Sequence, residues 1–303
     1  MLSSNSNCDS SFSWKHAVCA AAFAGGAVAV YKFSKDRLKN RLQPKTKGET
    51  DNPYESVALL NQYLAFNYGG PSVNCLFDGP KDGFDFPKAT ADICVKYFNR
   101  DASIPSRALD IGCAVGRASF ELAREFQEVI GIDYSHGFVK TCDVLKQAGS
   151  MEYEAPVEGD LTEKHTAVVP SDIDRTRCHF QTGDACNLPL NLGKFGCVLA
   201  ANLICRLPSP TDFLLRLGNL VETGGICVIT SPYTFMDTFT PKNKWLGGYV
   251  DKNGQEVRAI DTMKRVLSPQ FDLVDCIDLP FLIRETARKH QWTVAHVSIW
   301  KRK

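Results

Sequence analysis

The sequence predicts an α/β protein built on an open, mostly parallel, doubly wound sheet, and three observations carry that prediction. Residues 107–133 read as strand, glycine turn, helix, strand. Apolar runs of strand length recur at Cys178–Thr182, Cys197–Ala201 and Ile226–Ser231, with helical stretches between them. The first two runs end in acids, Asp110 and Asp133, and in such a sheet the strand tips line the ligand crevice.

Residues 1–13 are rich in Ser and Asn and read as disordered. Ala17–Tyr31 is apolar for 15 residues, and seven Lys or Arg follow between Lys32 and Lys47. A single-span anchor would place the basic flank and the body on the cytosolic side, giving membrane contact through residues 17–47. The run is shorter than the ~20 residues a bilayer crossing prefers, so a cleaved targeting segment and a flexible tail stay open beside it. The expected division is an appendage over 1–50 and a catalytic domain over 51–303.

The body begins with a helix over Tyr54–Tyr68 closed by Gly69-Gly70. Lying ahead of the first strand, it can act as a lid, with Tyr63 and Tyr68 toward the ligand or simply in the core. A loop over 71–88 and a short helix over Ala89–Asn99 follow. The helix after the glycine turn runs to about Phe126, and another spans His136–Ala148. Ser150–Thr176 is polar and reads as an insertion without clear periodicity. Cys178–Thr182 leads into Asp184 and Ala185. Cys197–Ala201 leads into Asn202, and Pro210–Leu220 is a helix. Gly224-Gly225 opens the strand Ile226–Ser231, which runs into an aromatic loop of the kind that closes over a small substrate. Phe271–Leu279 and Val294–Trp300 form a hairpin that adds an antiparallel edge strand.

The glycine turn decides the ligand class. A dinucleotide fingerprint needs glycine at 112, 114 and 117, where this chain has Gly112, Ala114 and Arg117. That weighs against a nicotinamide enzyme. Asp110, two residues before the first glycine, would repel phosphate and suits a cation. S-adenosylmethionine has no phosphate and carries a sulfonium and an ammonium. Asp133 follows Asp110 by 23 residues, about the spacing at which a second-strand acid accepts the ribose hydroxyls. The donor-side candidates are therefore Asp110, Gly112, Cys113, Gly116, Asp133 and Tyr134. Asp184 and Ala185 are placed for the adenine, and Asn202 for the reacting methyl. A turn that merely packs helix on strand is the alternative.

Composition agrees with a sizeable core: 303 residues, 44% of them hydrophobic. The net charge of +1 conceals an asymmetry, 8 Lys/Arg against 3 Asp/Glu in residues 1–50 and 27 against 31 thereafter, a net of −4. A mildly acidic body offers no broad basic face for nucleic acid. Twelve cysteines occur without a Cys-x-x-Cys, which points to a reducing, intracellular setting and to no metal site.

From about Asn52 to Trp300 the chain resembles the methyltransferase domain of the ovothiol-biosynthesis enzymes. The resemblance rests on NPYES with QYLAFNYG, ALDIGCAVGRASFELA, GDACNL, LAANLI with RL, TSPYTF, FTPKNKWLGG and DLPFLIRETARKHQWTVA. It implies a seven-stranded class I methyltransferase sheet, S-adenosylmethionine as donor, and methylation of an imidazole ring nitrogen of a small thiol-bearing histidine. Two departures stand out. No His-x-x-x-His-x-Glu iron motif occurs, so this chain is expected to finish a thiol-histidine made elsewhere, and Cys205 stands where an acid is expected. The loop Asn202-Leu203-Ile204 is not Asn-Pro-Pro-Tyr, which argues against an enzyme that methylates nucleobase amino groups.

The expected chemistry is in-line displacement at the sulfonium methyl, in which the protein aligns donor and acceptor and excludes water. A neutral imidazole nitrogen beside a thiolate is nucleophilic enough that a strong general base is not obligatory. Acceptor-side candidates are Asn202, Tyr233, Trp245, Arg284 and Glu285, the last two as partners for an amino-acid carboxylate and ammonium. His290 is a weaker candidate proton acceptor. A different small molecule, a protein histidine, or a non-catalytic donor-binding scaffold are the competing readings.

Overall fold

The structure is a computed structural model that describes residues 52–303. The expectations for Ala17–Tyr31 and its basic flank lie outside the described residues, and among the described residues no helix is long and apolar enough to cross a membrane. Helices α1 (Val57–Tyr68), α2 (Gly70–Asn74) and α3 (Phe86–Tyr97) precede β1 (Arg107–Ile111). There follow α4 (Arg117–Leu122), β2 (Glu128–Asp133), α5 (His136–Ala148), β3 (Ser150–Glu158), β4 (Leu161–Val168), β5 (Cys178–Thr182) and β6 (Phe195–Ala201). The chain closes with α6 (Pro210–Arg216), β7 (Val221–Ser231), β8 (Tyr249–Val250), β9 (Glu256–Val257), α7 (Ala259–Leu267), β10 (Phe271–Arg284) and β11 (His290–Arg302).

Seven strands form one sheet in the order β10-β11-β7-β6-β1-β2-β5. From β7 to β5 every neighbouring pair is parallel, while β11 runs antiparallel to both β7 and β10. The antiparallel strand is thus one place in from the edge. This is the class I methyltransferase fold.

Because strand side chains alternate, β6 sends Cys197 and Leu199 to one face and Val198 and Ala200 to the other. The first face packs on α1, α3, α4 and α5, with Leu64, Cys94, Phe120 and Phe138 buried there. The second packs on α6 and α7 through Phe213, Met263 and Leu267. Phe120, Phe213 and Met263 are wholly buried, and each contributes ~1.5–3 kcal/mol of apolar burial. The Ser135 hydroxyl accepts from Phe138 N at 3.1 Å, and the Glu55 carboxylate accepts from His136 N at 2.9 Å and Gly137 N at 3.2 Å. These acceptors satisfy the first turn of α5 and favour its dipole.

Several element assignments need correction. The expected loop over 71–88 is broken by α2 at Gly70–Asn74 and ends where α3 begins at Phe86. Residues 150–168 form a hairpin, β3 with β4, with a register shift between Pro156 and Glu158, and the rest of the insertion is loop leading into a short 3-10 turn at Arg175–Arg177. Tyr153, Ala155 and Ala167 alternate inward, but Glu, Lys and Thr on the solvent side hide the period in the composition. The strand expected to open at Gly224-Gly225 begins at Val221. The C-terminal strands run on through the charged stretch to Arg284 and from His290. Since β11 pairs with β7 only from His296, residues His290–Ala295 project past the tip of β7.

The projecting hairpin meets α2, the following loop and the β3–β4 hairpin to make a cap. Leu282 N donates to Gly83 O at 3.0 Å, Ala287 N to Val157 O at 3.3 Å, and Gln62 Nε2 to Arg284 O at 3.1 Å.

Candidate active site

The crevice lies along the carboxyl ends of β1, β2, β6 and β7. Four non-glycine residues among those described have positive φ, and three of them stand at these tips: Ala114 (48°), Asn202 (52°) and Tyr233 (54°). A left-handed tyrosine or alanine costs roughly 1–3 kcal/mol, a strain that clusters where function demands a particular backbone.

On the donor side, Gly112 N and Cys113 N both donate to Ile132 O, at 2.7 and 3.1 Å, which stitches the turn to β2. Gly116 has φ 83°, and a Cβ there would stand 3.0 Å from Cys142 Sγ and 3.1 Å from the Phe180 ring. Only glycine fits. Asp133 accepts from Ala114 N and Ser135 N, both at 2.9 Å, so the carboxylate is pinned at the tip of β2. Burial raises its pKa, and those backbone donors oppose the rise. Tyr134 beside it is exposed.

Asp110 differs from the expectation of a carboxylate facing the ligand. It lies beneath the turn, 1% exposed, and accepts from the Ser119 hydroxyl at 2.6 Å. Desolvation pushes its pKa up to about 7, against the pull of Ser119. It supports the turn from below, which leaves Asp133 as the acid at the rim. Cys113 is likewise buried, beside Cys142, whose thiol donates to Ala114 O at 3.3 Å. Asp184 accepts from Cys186 N at 2.8 Å and so caps its own turn, with Ala185 buried next to it.

These residues fit S-adenosylmethionine better than a pyrophosphate. Arg117, the cation of the turn, is ion-paired to Glu121 at 2.9 Å, donates to Asn67 O at 3.2 Å and lies against the Tyr68 ring. It is turned to α4 and α1, away from the glycine turn's ligand side. Tyr68 donates to Val115 O at 2.9 Å, so α1 is fastened over the turn as the lid position requires. Tyr63 packs against Tyr54 and Phe138.

Tyr54 carries more of the site than its sequence context suggested. Its ring packs on Phe138 and Phe239, and burial raises its hydroxyl pKa, with the nearby Arg206 guanidinium opposing the rise and Asp133 adding to it. It therefore bridges the β2 tip and the segment after β6. Arg206 in turn donates to Thr234 O at 2.8 Å and binds that segment to the one after β7.

At the tips of β6 and β7, Asn202 N donates to Thr230 O at 3.0 Å and Thr230 Oγ1 at 2.9 Å, while Thr230 Oγ1 donates to Asn202 Oδ1 at 2.9 Å. The amide oxygen is thus engaged and Nδ2 has no protein acceptor among the described residues. Past the tip of β7 opens a cavity of about 650 Å³. It is lined by Tyr233 and Phe235, the short flap of β8 and β9, Arg258, and His296. The Tyr233 hydroxyl and His296 Nδ1 are 2.8 Å apart.

Trp245 lies behind this cavity. Its ring stacks on Phe235 at 5.9 Å, and Nε1 donates to Thr240 O at 2.8 Å. Arg284 and Glu285 belong to the cap. The Arg284 guanidinium, 2% exposed, donates to Val73 O at 2.6 Å and Pro156 O at 2.7 Å, and lies 2.8 Å from Glu163. Glu285 holds Lys289 and Gln291 within its own turn. Neither is placed to meet an acceptor's amino-acid head, because the strand extension that carries them is clamped onto α2 and the β3–β4 hairpin. His290 sits in the same cap, its pKa lowered by burial.

Sequence reasoning passed over His296 and Arg258. No local motif marks either, and His296 reaches the crevice only through its antiparallel register with Ser231.

Residues 109–229 match a family model described as a methyltransferase domain. No curated protein sequence matches the chain. Among solved structures, similarity extends to the 4+2 cyclase SpnF, at 16% identity over 75% of this chain and 73% of that one, TM-score 0.48. An S-adenosylmethionine-dependent methyltransferase from Methanosarcina mazei is 17% identical, with 70% and 96% coverage and a TM-score of 0.44. Another from Clostridium acetobutylicum is 13% identical, with 72% and 92% coverage and a TM-score of 0.44. With a strand-tip acid, a glycine turn and the domain match all falling on one crevice, the chain carries a methyltransferase domain whose methyl donor is S-adenosylmethionine.

Proposed function

We propose that the protein transfers the methyl group to a ring nitrogen of a small thiol-bearing imidazole, of the 4-mercaptohistidine type. The observation that carries this reading is the acceptor cavity itself. At about 650 Å³ it is of small-molecule size, and its wall of Tyr233, Phe235, Tyr249 and Val257 suits a flat ring. Its polar groups are few: the Tyr233–His296 pair, and Arg258 beside Glu256, 3.0 Å apart.

Asp133 and Tyr134 would hold the donor's ribose, Asp184 and Ala185 its adenine, and the Gly112–Gly116 turn its amino-acid end. Bound S-adenosylmethionine supplies an electrophilic methyl on a sulfonium whose leaving group is a neutral thioether. Asn202, held by Thr230, offers Nδ2 as a hydrogen-bond donor between the two halves. Arg258 takes over the part expected of Arg284, pairing with the acceptor's carboxylate, and Glu256 that of Glu285. Tyr54 and Phe239 exclude water from the line of transfer.

The test is a panel of acceptors with methyl-labelled donor: 4-mercaptohistidine, histidine and histidine-containing peptides. Label is expected on a ring nitrogen of 4-mercaptohistidine. Transfer to peptides alone would remove this reading.

A further inference from the structure

We propose that Tyr233 and His296 form a proton relay that strips the ring N–H proton from the acceptor as the methyl arrives, an inference that rests on the imidazole reading above. Three independent features of the structure carry it. The two side chains are in hydrogen-bond contact at 2.8 Å and both line the acceptor cavity. Tyr233 is held at φ 54°, with its backbone N–H on Ser231 Oγ at 3.0 Å. A bulky residue in that conformation is maintained against strain of ~1–3 kcal/mol. His296 Nδ1 has the Tyr233 hydroxyl as its only protein partner among the described residues, and its backbone register opposite Ser231 puts it at the strand tips. The relay uses the tautomer in which Tyr233 O–H donates and Nδ1 accepts, an arrangement that the 2.8 Å contact accommodates.

The chemistry can use such a group when the acceptor nitrogen is protonated. A neutral mercaptoimidazole carries a proton on the nitrogen to be methylated in its thione or zwitterionic forms. That proton passes to the Tyr233 oxygen while the Tyr233 O–H proton passes to His296 Nδ1. The lone pair so released forms the N–CH3 bond, and the S–CH3 bond breaks with its electron pair on sulfur. The positive charge that leaves the sulfonium appears on the His296 imidazolium, which afterwards gives its proton to solvent. Tyr233 does not act alone as base: burial raises its pKa well above that of a free phenol, so it holds its own proton unless His296 takes it. The relay therefore refines the expectation that no base is needed, and it gives the strained Tyr233 backbone a purpose.

The test uses the full chain and three variants, Tyr233→Phe, His296→Asn and the double variant, with 4-mercaptohistidine as acceptor at saturating donor. Asn keeps an oxygen near Nδ1 for the tyrosine hydroxyl and cannot take up a proton. Each single variant is expected to lose about 100-fold in kcat, the low end for general-base catalysis, with acceptor KM and donor Kd within about threefold by the reading that a proton-transfer role leaves binding intact. The double variant is expected to be no slower than the worse single one, because the two residues act as a unit. Multiplying losses, a loss confined to KM, or single variants as fast as wild type would each overturn the relay. Should a variant fail to fold, wild-type single turnovers in heavy water decide: a solvent isotope effect supports the relay and its absence contradicts it. If the wild type methylates sulfur or a carboxylate, the imidazole reading and the relay fall together. If it methylates a ring nitrogen while the variants stay fast, the relay falls alone.

Discussion

The halves of the crevice proposed for the donor and for the acceptor are built on different principles. The donor half is a backbone device: Asp133 is gripped by Ala114 N and Ser135 N, and the turn hangs on Ile132 O. These parts all fall between Gly112 and Ser135, so local geometry assembles them, while Asp184 and Ala185, proposed for the adenine, come from beyond β5. The proposed acceptor half is a side-chain device drawn from the segment after β7, the β8–β9 flap and β11, from Tyr233 to His296. Its parts meet only when the sheet closes.

The largest expected effect concerns the support beneath the donor turn. Desolvation raises Asp110 from an ordinary 3.8 to about 7. The folded state therefore favours the neutral acid, and the stability this contributes is complete below pH ~4 and is lost as pH rises toward 7. Over that window the loss is at most about 4 kcal/mol. Asp110→Asn, which can still accept from Ser119, is expected to match wild type at pH 4 and to exceed it at pH 8 in donor-free denaturant unfolding. Equal stabilities at both pH values would show that Asp110 is not the neutral support described.

Next comes the cap. Arg284→Ala leaves Val73 O, Pro156 O and Glu163 without their partner, and a destabilisation of about 3 kcal/mol is expected. The folded fraction should keep its acceptor KM. A large KM increase with unchanged stability would return Arg284 to the substrate site.

Asp133→Ala addresses the donor half directly. Losing a charged acceptor of ribose hydroxyls is expected to weaken donor Kd roughly 100-fold by calorimetry, at about 1.5–3 kcal/mol for each charge-assisted hydrogen bond. Acceptor KM at saturating donor should hardly move. The smallest effect is on the other side: Arg258→Ala should raise acceptor KM about tenfold, in line with an exposed carboxylate pair, and leave donor Kd alone. If either variant changed both constants equally, the separation of the halves would be lost.

The same contrast explains what could be read from the chain. The β1 turn, Asp133 and the bounds of α5 at His136 and Ala148 follow from glycine placement, period and capping, all local signals. The parallel sheet follows from repeated strand–helix units. By contrast, Asp110 is placed at a strand tip by its sequence position, yet its side chain faces α4 and Ser119, a fact of strand alternation across the whole sheet. Arg284 resembles a ligand for carboxylates until the cap packs around it. The β3–β4 hairpin is obscured because one face is solvated and strongly charged. His296 has no motif, and only the pairing of β11 with β7 brings it to Tyr233.

The most direct measurement is a carbon NMR spectrum of the product formed from S-adenosylmethionine carrying a carbon-13 methyl, with 4-mercaptohistidine as acceptor. A single new N-methyl resonance coupled to the imidazole ring is the expected result. A methyl on sulfur, or no transfer by a protein that binds the donor, would contradict the assignment of this cavity to a ring-nitrogen acceptor.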